Sequence, residues 1–318
     1  MLTVGLGIEL GYSSMSSQNA RSYPLVAEMR SLLAEKHRMS AGLVDRAWAT
    51  FGNQWADQFE DALSRLCPSA TDRASAVSGY AAFATAMLRL QVRFEQTGSY
   101  RVKSYNDALA EVYHNDAYMQ SNYLPGLFLS HYLWPHHYRQ LQFFSFAFLD
   151  ALALVGVREF TEVGVGTGIY SRVALQRLPM VIGRGVDISP ASQCFAQRHV
   201  AAFALGDRYH VDVQNVVSEP TSAPSEALIC VEVLEHLEDP VDFLRALRRM
   251  MKSGGKAFIT AALNSAHADH IYLYRHAGEV EQHIVEAGFV TEQYFVGYPD
   301  GGTRAGVPRP HIAAFIVH

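Results

Sequence analysis

The sequence has 318 residues, of which 49% are hydrophobic, so one or two domains with a sizeable buried core are expected. Its formal charge of −5 argues against the basic surface on which nucleic-acid binding usually depends. The three scattered cysteines predict reduced thiols, and no run reaches the roughly 20 apolar residues that a membrane span requires. The amino-terminus lacks the charged start of a signal peptide, so we expect a cytoplasmic protein with neither a membrane nor a nucleic acid as partner.

The first third of the sequence has the periodicity of amphipathic helices. Apolar residues recur at helical spacing from Ser22 to about residue 38, from Ser40 to Leu66, from about Asp72 to Gln96, and from about Tyr105 to Tyr118. Ser40 is expected to cap the second helix, because its hydroxyl can accept a hydrogen bond from a free backbone N–H group. This part of the chain is therefore predicted to be a helical domain.

An aromatic segment, Tyr118 to Tyr138, follows these helices and carries His131, His136 and His137. Together with Tyr138, the three histidines are candidates for lining a substrate pocket. The alternative is a packed helix junction with hydrogen-bonded core histidines, because aromatic residues at helical spacing usually belong to the core.

A glycine turn, Phe160 to Tyr170, lies between a short predicted strand and a predicted helix. Gly164, Gly166 and Gly168 occupy every second position, which lets the backbone bend tightly and approach a ligand with no Cβ in the way. The helix that follows directs its free N–H groups towards that ligand. Glu162 precedes the glycines and suits a cofactor that carries an amino group rather than a pyrophosphate. The alternative is a glycine loop that only turns the chain.

From Arg158 onward, predicted strands and helices alternate, which is typical of an α/β fold with a parallel sheet. After the strand before the glycine turn, we expect strands at Val181–Val186, Tyr209–Gln214, Ala227–Val231, Ala257–Ala261 and Thr291–Val296, and a last one at residues 311–318. A turn is predicted at residues 253–256, where the sequence reads Ser-Gly-Gly-Lys.

Residues after the second and third predicted strands are candidates for binding an adenosine. An acid at the tip of the second strand, Asp187, can accept both ribose hydroxyls, and Ile188 follows it. Asn215 and Val216 stand at the carboxyl end of the third strand, where an adenine edge would lie. Asp187 could instead cap the helix that begins near Pro190, and the two roles are compatible.

Two sets of motifs in the second half resemble a known family. The pattern Glu-x-Gly-x-Gly-x-Gly resembles the class I S-adenosylmethionine (SAM) methyltransferases. The run Val-Leu-Glu-His-Leu-Glu-Asp-Pro, followed by a helix and Ser-Gly-Gly-Lys-Ala-Phe-Ile, resembles the ubiquinone-biosynthesis O-methyltransferases within that class. This resemblance covers residues 160–318. It implies a Rossmann-like, seven-stranded sheet whose last strand inserts antiparallel beside the fifth, with SAM as cofactor.

The resemblance and the helical pattern together predict two domains. Residues 1–150 would form a helical, substrate-binding cap, and residues 151–318 a SAM-binding methyltransferase domain. The cap is expected to close the cofactor pocket and to select the substrate.

Acidic residues and histidines gather after two predicted strands: Glu232, Glu235 and His236 after the fourth, and His267, Asp269 and His270 after the fifth. The carboxyl ends of parallel strands meet at one edge of the sheet, where ligands bind. Two carboxylates and two imidazoles suit a divalent cation such as Mg²⁺, Mn²⁺, Fe²⁺ or Zn²⁺.

The Glu-x-x-Glu-His motif also resembles the metal site of the small-RNA 2′-O-methyltransferases, which implies Glu232, Glu235, His236 and His270 as metal ligands. Glu232 is expected at the cofactor as well. The alternative is a metal-free pocket in which the Glu-His pair caps a helix. In a third interpretation His236 or His270 is a general base, because the usual pKa of a histidine lies near the working pH.

These features predict a SAM-dependent methyltransferase acting on a small-molecule acceptor of the secondary-metabolite type. Two alternatives are an RNA 2′-O-methyltransferase, suggested by the Glu-x-x-Glu-His motif, and a non-catalytic SAM-binding protein. The sequence leaves open the identity of the acceptor, the acceptor atom and the oligomeric state.

Overall fold

The computed structural model of the chain describes residues 22–101, 104–219, 224–299 and 309–318. Its first half is helical, as predicted. Three long helices come first, α1 (Pro24–Lys36), α2 (Leu43–Leu66) and α3 (Ala70–Thr97). The predicted cap of α2 is wrong, because Gly42 is the N-cap residue and Ser40 ends a separate 3-10 turn. The first 21 residues of the predicted helical domain lie outside the described residues.

Shorter helices interrupted by π-helical turns connect the long helices to the sheet. They are α4 (Tyr105–Ala108), α5 (Asp116–Tyr118), α6 (Leu124–Leu133), α7 (Pro135–Phe143) and α8 (Leu149–Val155). The π-helical turns span Leu109–Tyr113, Met119–Tyr123 and Phe144–Phe148. Such turns are rare and occur frequently at functional sites. The predicted domain boundary after residue 150 lies within α8 and stays a prediction.

The second half forms one seven-stranded sheet. Its strands are β1 (Glu159–Val163), β2 (Ile182–Asp187), β3 (Tyr209–Val213), β4 (Ser225–Cys230), β5 (Met251–Ala262), β6 (Thr291–Gly297) and β7 (Ile312–Val317). The strand order is β3-β2-β1-β4-β5-β7-β6. Strands β1 to β5 pair in parallel, and β7 inserts antiparallel between β5 and β6. The predicted position of the last strand is confirmed.

The predicted turn at residues 253–256 is wrong, because these residues belong to β5. Between the pairs Ser225–Met251 and Ala227–Lys256, β5 advances five residues while β4 advances two. The Ser-Gly-Gly-Lys run is accommodated as a bulge in the strand, with Gly254 at a φ of +75°. The same residue types favour turns and bulges, so the sequence pattern alone could not distinguish the two.

Helices cover the sheet and link the two halves of the chain. The crossover helices are α9 (Ile169–Arg177), α10 (Pro190–Ala202), α11 (Pro240–Arg249) and α12 (Ala277–Glu286). One hydrophobic cluster includes Trp55 of α2, Phe148 of the third π-helical turn, Phe160 of β1 and Phe258 of β5, so helical and sheet residues share a core. No helix of the described ranges has the length and apolar character needed to cross a bilayer.

Two helices of the first half approach closely at a glycine. A Cβ atom on Gly126 of α6 would overlap the ring of Phe83 on α3. Gly126→Ala should therefore lower the free energy of unfolding by about 1–3 kcal/mol through overpacking. This exceeds the gain of up to about 1 kcal/mol that alanine brings to a helix. Urea denaturation would measure the difference.

Gly206→Ala is the matched control, because its new methyl group would lie 3.4 Å from Ala201, an ordinary contact. The control should stay within about 0.5 kcal/mol of the parent protein. Equal stability of the two variants would contradict the close helix contact.

Candidate active site

A partly open cavity of about 390 Å³ lies at the carboxyl ends of β1, β2, β3 and β4. The chain reverses its strand order between β1 and β4, and open α/β sheets bind ligands at such a switch point. The helical half closes the cavity from the other side with Tyr105, Tyr113, Tyr123, Leu127 and His131. Both halves of the chain therefore build the cavity wall.

The three glycines of the turn have different surroundings. A Cβ on Gly164 would collide with Val233, and one on Gly168 would collide with Ala196, so both positions are restricted by the protein itself. Gly166 has a φ of +48°, and the nearest atom that its Cβ would meet is Leu127 Cδ2 at 3.4 Å. Gly166 is thus the glycine whose missing side chain leaves space in the cavity.

Glu162 lies beneath the turn and is 1% exposed. Its carboxylate accepts hydrogen bonds from the backbone N–H of Ser171, at 3.0 Å, and from the Ser171 hydroxyl. Burial raises the pKa of Glu162 to about 8, although the two bonds from Ser171 oppose that shift. Glu162 therefore connects β1 to the start of α9 and also lines the cavity.

Asp187, at the end of β2, is buried and lines the cavity together with Ile188, Asn215 and Val216. One carboxylate oxygen accepts a hydrogen bond from the Gly166 N–H at 3.1 Å. The other accepts one from the N–H of residue 189 at 2.8 Å. Burial raises the pKa of Asp187 to about 6. All four residues predicted for this wall thus lie on it.

The interpretation of Asp187 as a helix cap is not realised. Ser189 is the N-cap residue of α10, and its side chain accepts a hydrogen bond from the N–H of Ser192. Asp187 instead accepts hydrogen bonds from the backbone N–H groups of Gly166, in the glycine turn, and of residue 189.

Glu232 follows β4 in a left-handed conformation, with a φ of +52°. Non-glycine residues rarely adopt this conformation, and it is concentrated at functional sites. The backbone N–H of Glu232 donates to the Thr260 hydroxyl at 2.9 Å, and its carboxylate accepts from Gln140 Nε2 at 3.3 Å. Burial, and then the charge of Glu235, raise the pKa of Glu232 to about 8.

A second group of side chains lies at another part of the cavity wall, where His236 and His270 line the cavity and Glu235 is buried next to them without lining it. Glu235, His236 and His270 are buried, and one potential ligand atom of each lies within 4.8 Å of the others. Among the described residues, neither carboxylate oxygen of Glu235 has a hydrogen-bond partner. Glu232 does not belong to this group, and its carboxylate accepts a hydrogen bond from Gln140.

The two histidines of this group have a defined tautomer. Nδ1 of His270 lies 2.7 Å from the carbonyl oxygen of Ser265, and Nδ1 of His236 lies 3.2 Å from that of Asp269. A carbonyl oxygen can only accept, so both Nδ1 atoms carry a proton and each Nε2 is available for a ligand or a proton. Burial by itself would lower the pKa of His236, but Asp269 and Glu235 raise it.

Sequence reasoning missed the aromatic residues that support this group. The hydroxyls of Tyr113 and Tyr123 both donate to Asp269 Oδ2, at 2.9 and 2.8 Å. On α3, Gln91 bonds to the backbone at residues 264 and 266. These partners are separated by 146 to 175 residues in the sequence, and no motif joins them.

Of the four residues predicted from the aromatic segment, the structure places only His131 among the cavity-lining residues. His136 packs between Trp134 and His311. His137 lies behind the cavity wall, with Nε2 3.9 Å from the Glu232 carboxylate. Tyr138 lies in the helical core and donates a hydrogen bond to a Gln58 oxygen at 3.0 Å. This segment is therefore mainly a packed helix junction.

Comparison with known proteins finds a matching domain family and similar proteins for the part of the chain that includes the glycine turn. Residues 161–257 match the family described as a methyltransferase domain. The sequence is similar to the ubiquinone biosynthesis O-methyltransferases of Pseudomonas fluorescens (strain SBW25), 30% identical over 112 residues, and Pseudomonas entomophila (strain L48), 31% identical over 111 residues. Each match covers 35% of this chain and 47% of the relative, so the chain spans about half the length of the curated relatives it matches.

Solved structures share the fold over a larger part of the chain. LaPhzM has a TM-score of 0.53 at 17% identity and covers 76% of this chain and 71% of its own. Human N-acetylserotonin methyltransferase, solved in complex with SAM, has a TM-score of 0.52 at 14% identity and covers 76% and 70%. Mitomycin 7-O-methyltransferase has a TM-score of 0.51 at 15% identity and covers 81% and 74%. The fold is therefore that of a class I methyltransferase with a helical amino-terminal region.

The buried state of Glu162 predicts a pH dependence of stability. Its pKa rises from the usual 4.5 to about 8 on folding, so between these values the folded state holds a proton that the unfolded chain releases. The contribution of Glu162 to the free energy of unfolding therefore declines as the pH rises through this window. Glu162→Gln should remove that decline, measured by urea denaturation at several pH values.

The matched control is Glu159→Gln on the same strand, whose carboxylate is 47% exposed and pairs with Lys252. It should keep the pH dependence of the parent protein. Identical pH profiles of the parent and Glu162→Gln would show that Glu162 titrates normally.

Proposed function

We propose that the protein is a SAM-dependent methyltransferase that acts on a small-molecule acceptor. One observation carries the proposal: a single cavity joins the glycine turn and Asp187 at one end to His236 and His270 at the other. A methyl donor held at the first end would have its transferable group directed towards the second. Methyl transfer needs donor and acceptor held in line with water excluded, and a cavity covered by the sheet on one side and by the helical half on the other favours both conditions.

At the donor end, each residue has a distinct role. Gly166 leaves space for the cofactor, and Asp187 accepts hydrogen bonds from the ribose hydroxyls. Ile188, Asn215 and Val216 form the wall against the adenine. Glu162 and Glu232 face the cationic part of the cofactor, where a positive charge favours their ionised form. This arrangement suits SAM, which is positively charged at its sulfonium and its amino group.

The acceptor end favours an uncharged or cationic molecule with apolar or aromatic character. Among the described residues, no lysine or arginine lines the cavity, whereas tyrosines line it at positions 105, 113, 123 and 170. Aromatic walls suit apolar acceptors as well as the sulfonium. A nucleic-acid strand would find no cationic partner for its phosphates here, and the formal charge of −5 gives no long-range attraction to it.

The residues at the acceptor end fit a divalent cation. Both oxygens of the buried Glu235 carboxylate are without a hydrogen-bond partner in the described part of the chain, and a cation would compensate that charge. His236 and His270 each donate their Nδ1 proton to a backbone carbonyl, as metal-binding histidines usually do. Two imidazoles and one carboxylate suit Mn²⁺, Fe²⁺ or Zn²⁺ better than Mg²⁺, which prefers oxygen ligands.

In this arrangement Glu235, His236 and His270 would hold the cation, and Glu232 would remain at the donor end. A cation in this position supplies Lewis-acid chemistry, which lowers the pKa of a hydroxyl acceptor. The chain itself orients the donor, excludes water with its helical half and positions the acceptor beside the sulfonium. If no cation binds, Nε2 of His236 or His270 is the general base that takes the acceptor proton.

Donor binding is tested with two variants. Gly166→Val would place a branched side chain in the cofactor space, and Asp187→Ala would remove the acceptor for the ribose hydroxyls. Asp187→Ala should weaken SAM binding about 5- to 150-fold, since an unpaired hydrogen-bonding group costs about 1–3 kcal/mol. Gly166→Val should weaken it as well, because its side chain would overlap the cofactor. Calorimetry with SAM would measure this.

Asp212→Ala is the control for donor binding, because Asp212 lies on the neighbouring strand β3 and pairs with Arg184 outside the cavity. It should bind SAM as the parent protein does. Unchanged affinity in both cavity variants would place the cofactor elsewhere.

The cation is tested by elemental analysis, chelation and Glu235→Gln. Chelation should abolish transfer of labelled methyl groups from SAM to the small-molecule fraction of a cell extract, and adding the metal back should restore it. Glu235→Gln should reduce metal content and turnover while SAM affinity stays within about twofold, because Glu235 is outside the donor wall. If no metal is found and chelation has no effect, the histidines act as bases without a cation.

A further inference from the structure

We propose that Asp269, Tyr113 and Tyr123 form a positioning unit that orients His236 and makes cation binding depend on the helical roof. The inference rests on the cation site of the proposed function and adds to it three residues outside the group Glu235, His236 and His270. Asp269 also lies close to His267 and His270, and it is given the supporting role because its Oδ2 atom receives both tyrosine hydroxyls. The roof is here the segment Tyr105–Tyr123, which lines the cavity with the tyrosines at positions 105, 113 and 123.

Asp269 is fully buried on the loop after β5. Its Oδ2 atom receives the hydroxyl protons of Tyr113 and Tyr123 and lies 3.4 Å from Nδ1 of His236. The backbone carbonyl of Asp269 lies 3.2 Å from the same Nδ1 atom. Asp269 thus meets His236 with both its main chain and its side chain. This fixes the ring so that Nε2 points away from Asp269.

A phenol hydroxyl has a single proton, so each tyrosine donates its only hydroxyl hydrogen bond to Asp269. Two donors on one oxygen hold the carboxylate in one orientation, and that orientation is the one that faces His236. Without the tyrosines, a buried carboxylate with an unpaired Oδ1 atom would have no other hydroxyl donor among the described residues. The hydroxyls are therefore needed to keep Asp269 in place.

The two tyrosines have equivalent positions in the roof. Each is the last residue of a π-helical turn, Leu109–Tyr113 in one case and Met119–Tyr123 in the other. The Tyr113 ring also meets the edge of His236, with ring centres 6.1 Å apart. The roof therefore contributes to the geometry of His236 although it supplies no ligand to the group Glu235, His236 and His270.

The Nδ1 proton of His236 goes to the backbone carbonyl of Asp269, and the Asp269 carboxylate lies beside the same atom, so Asp269 is a supporting partner of the kind common behind metal-binding histidines. The loss of such a partner typically weakens metal binding about 10- to 100-fold. Because binding free energies are reciprocal, a bound cation should in turn stabilise the roof. Cation binding and the stability of the roof would then be thermodynamically coupled.

The test uses the full chain and Mn²⁺ alone, with binding followed by electron paramagnetic resonance. The double variant Tyr113→Phe/Tyr123→Phe and the variant Asp269→Asn should each bind Mn²⁺ about 10- to 100-fold more weakly than the parent protein. Tyr118→Phe is the matched control. In the parent protein, Tyr118 packs against Tyr123 but makes no hydrogen bond to Asp269. The variant therefore removes a hydroxyl from the same roof segment without removing a donor to Asp269. Its Mn²⁺ affinity should equal that of the parent.

Hydrogen exchange gives a second readout that does not depend on activity. Mn²⁺ should slow exchange in residues 105–123 of the parent protein and of Tyr118→Phe, but not in the double variant. If the double variant does not fold, the two single variants replace it, each with a smaller loss of Mn²⁺ affinity in the same direction.

Three results would overturn the inference. If the parent binds Mn²⁺ and the double variant binds it equally well, the tyrosines have no positioning role, and the proposed function is unaffected. If Tyr118→Phe loses as much affinity as the double variant, the loss reflects a general loosening of the roof. If the parent binds neither Mn²⁺ nor Zn²⁺, the cation role in the proposed function fails, and the inference fails with it.

Discussion

The site depends on one physical constraint: a carboxylate buried at the edge of a sheet must find a partner, or its charge becomes very costly. Four buried carboxylates meet this constraint around the cavity, at residues 162, 187, 235 and 269, and Glu232 beside them is half-buried. None of the five is paired with a lysine or arginine in the described part of the chain. Hydroxyl, amide and backbone N–H groups satisfy most of them. Such neutral donors compensate a buried negative charge only in part, so the cavity retains an affinity for positive charge.

The degree of compensation differs between the two ends of the cavity. At the proposed donor end, Glu162 and Asp187 have backbone partners that also define the glycine turn, so contacts within the chain set the shape of this part of the cavity. At the acceptor end, Glu235 has no hydrogen-bond partner among the described residues, although it is completely buried. The least compensated carboxylate lies beside two histidines with available Nε2 atoms, and this is where a ligand would contribute most.

The helical half contributes to function through contacts behind the cavity wall as well as through the wall itself. Gln140 of α7 orients Glu232, and Gln91 of α3 holds the loop after β5. Tyr113 and Tyr123 orient Asp269. Each of these residues forms a hydrogen bond to a part of the sheet half that either lines the cavity or contacts His236 or His270. The helical half is therefore part of the cavity wall and of its supporting contacts, and it shares a hydrophobic core with the sheet.

The sequence by itself determined the class of fold and located the residues of the proposed donor end. Alternating elements, a glycine turn and an acid after the second strand depend on local chain geometry, so residues such as Gly166 and Asp187 could be located without coordinates. Local signals were less decisive where two structures use the same residues, as with the bulge near Gly254 and the capping role considered for Asp187. Only the tertiary structure decided the acceptor end. In the structure, Glu232 accepts a hydrogen bond from Gln140, and His136 and Tyr138 pack among the helices. Tyr113 and Tyr123 donate hydrogen bonds to Asp269. These contacts join residues far apart in the sequence, and they follow from how the helices pack on the sheet, which no local pattern records.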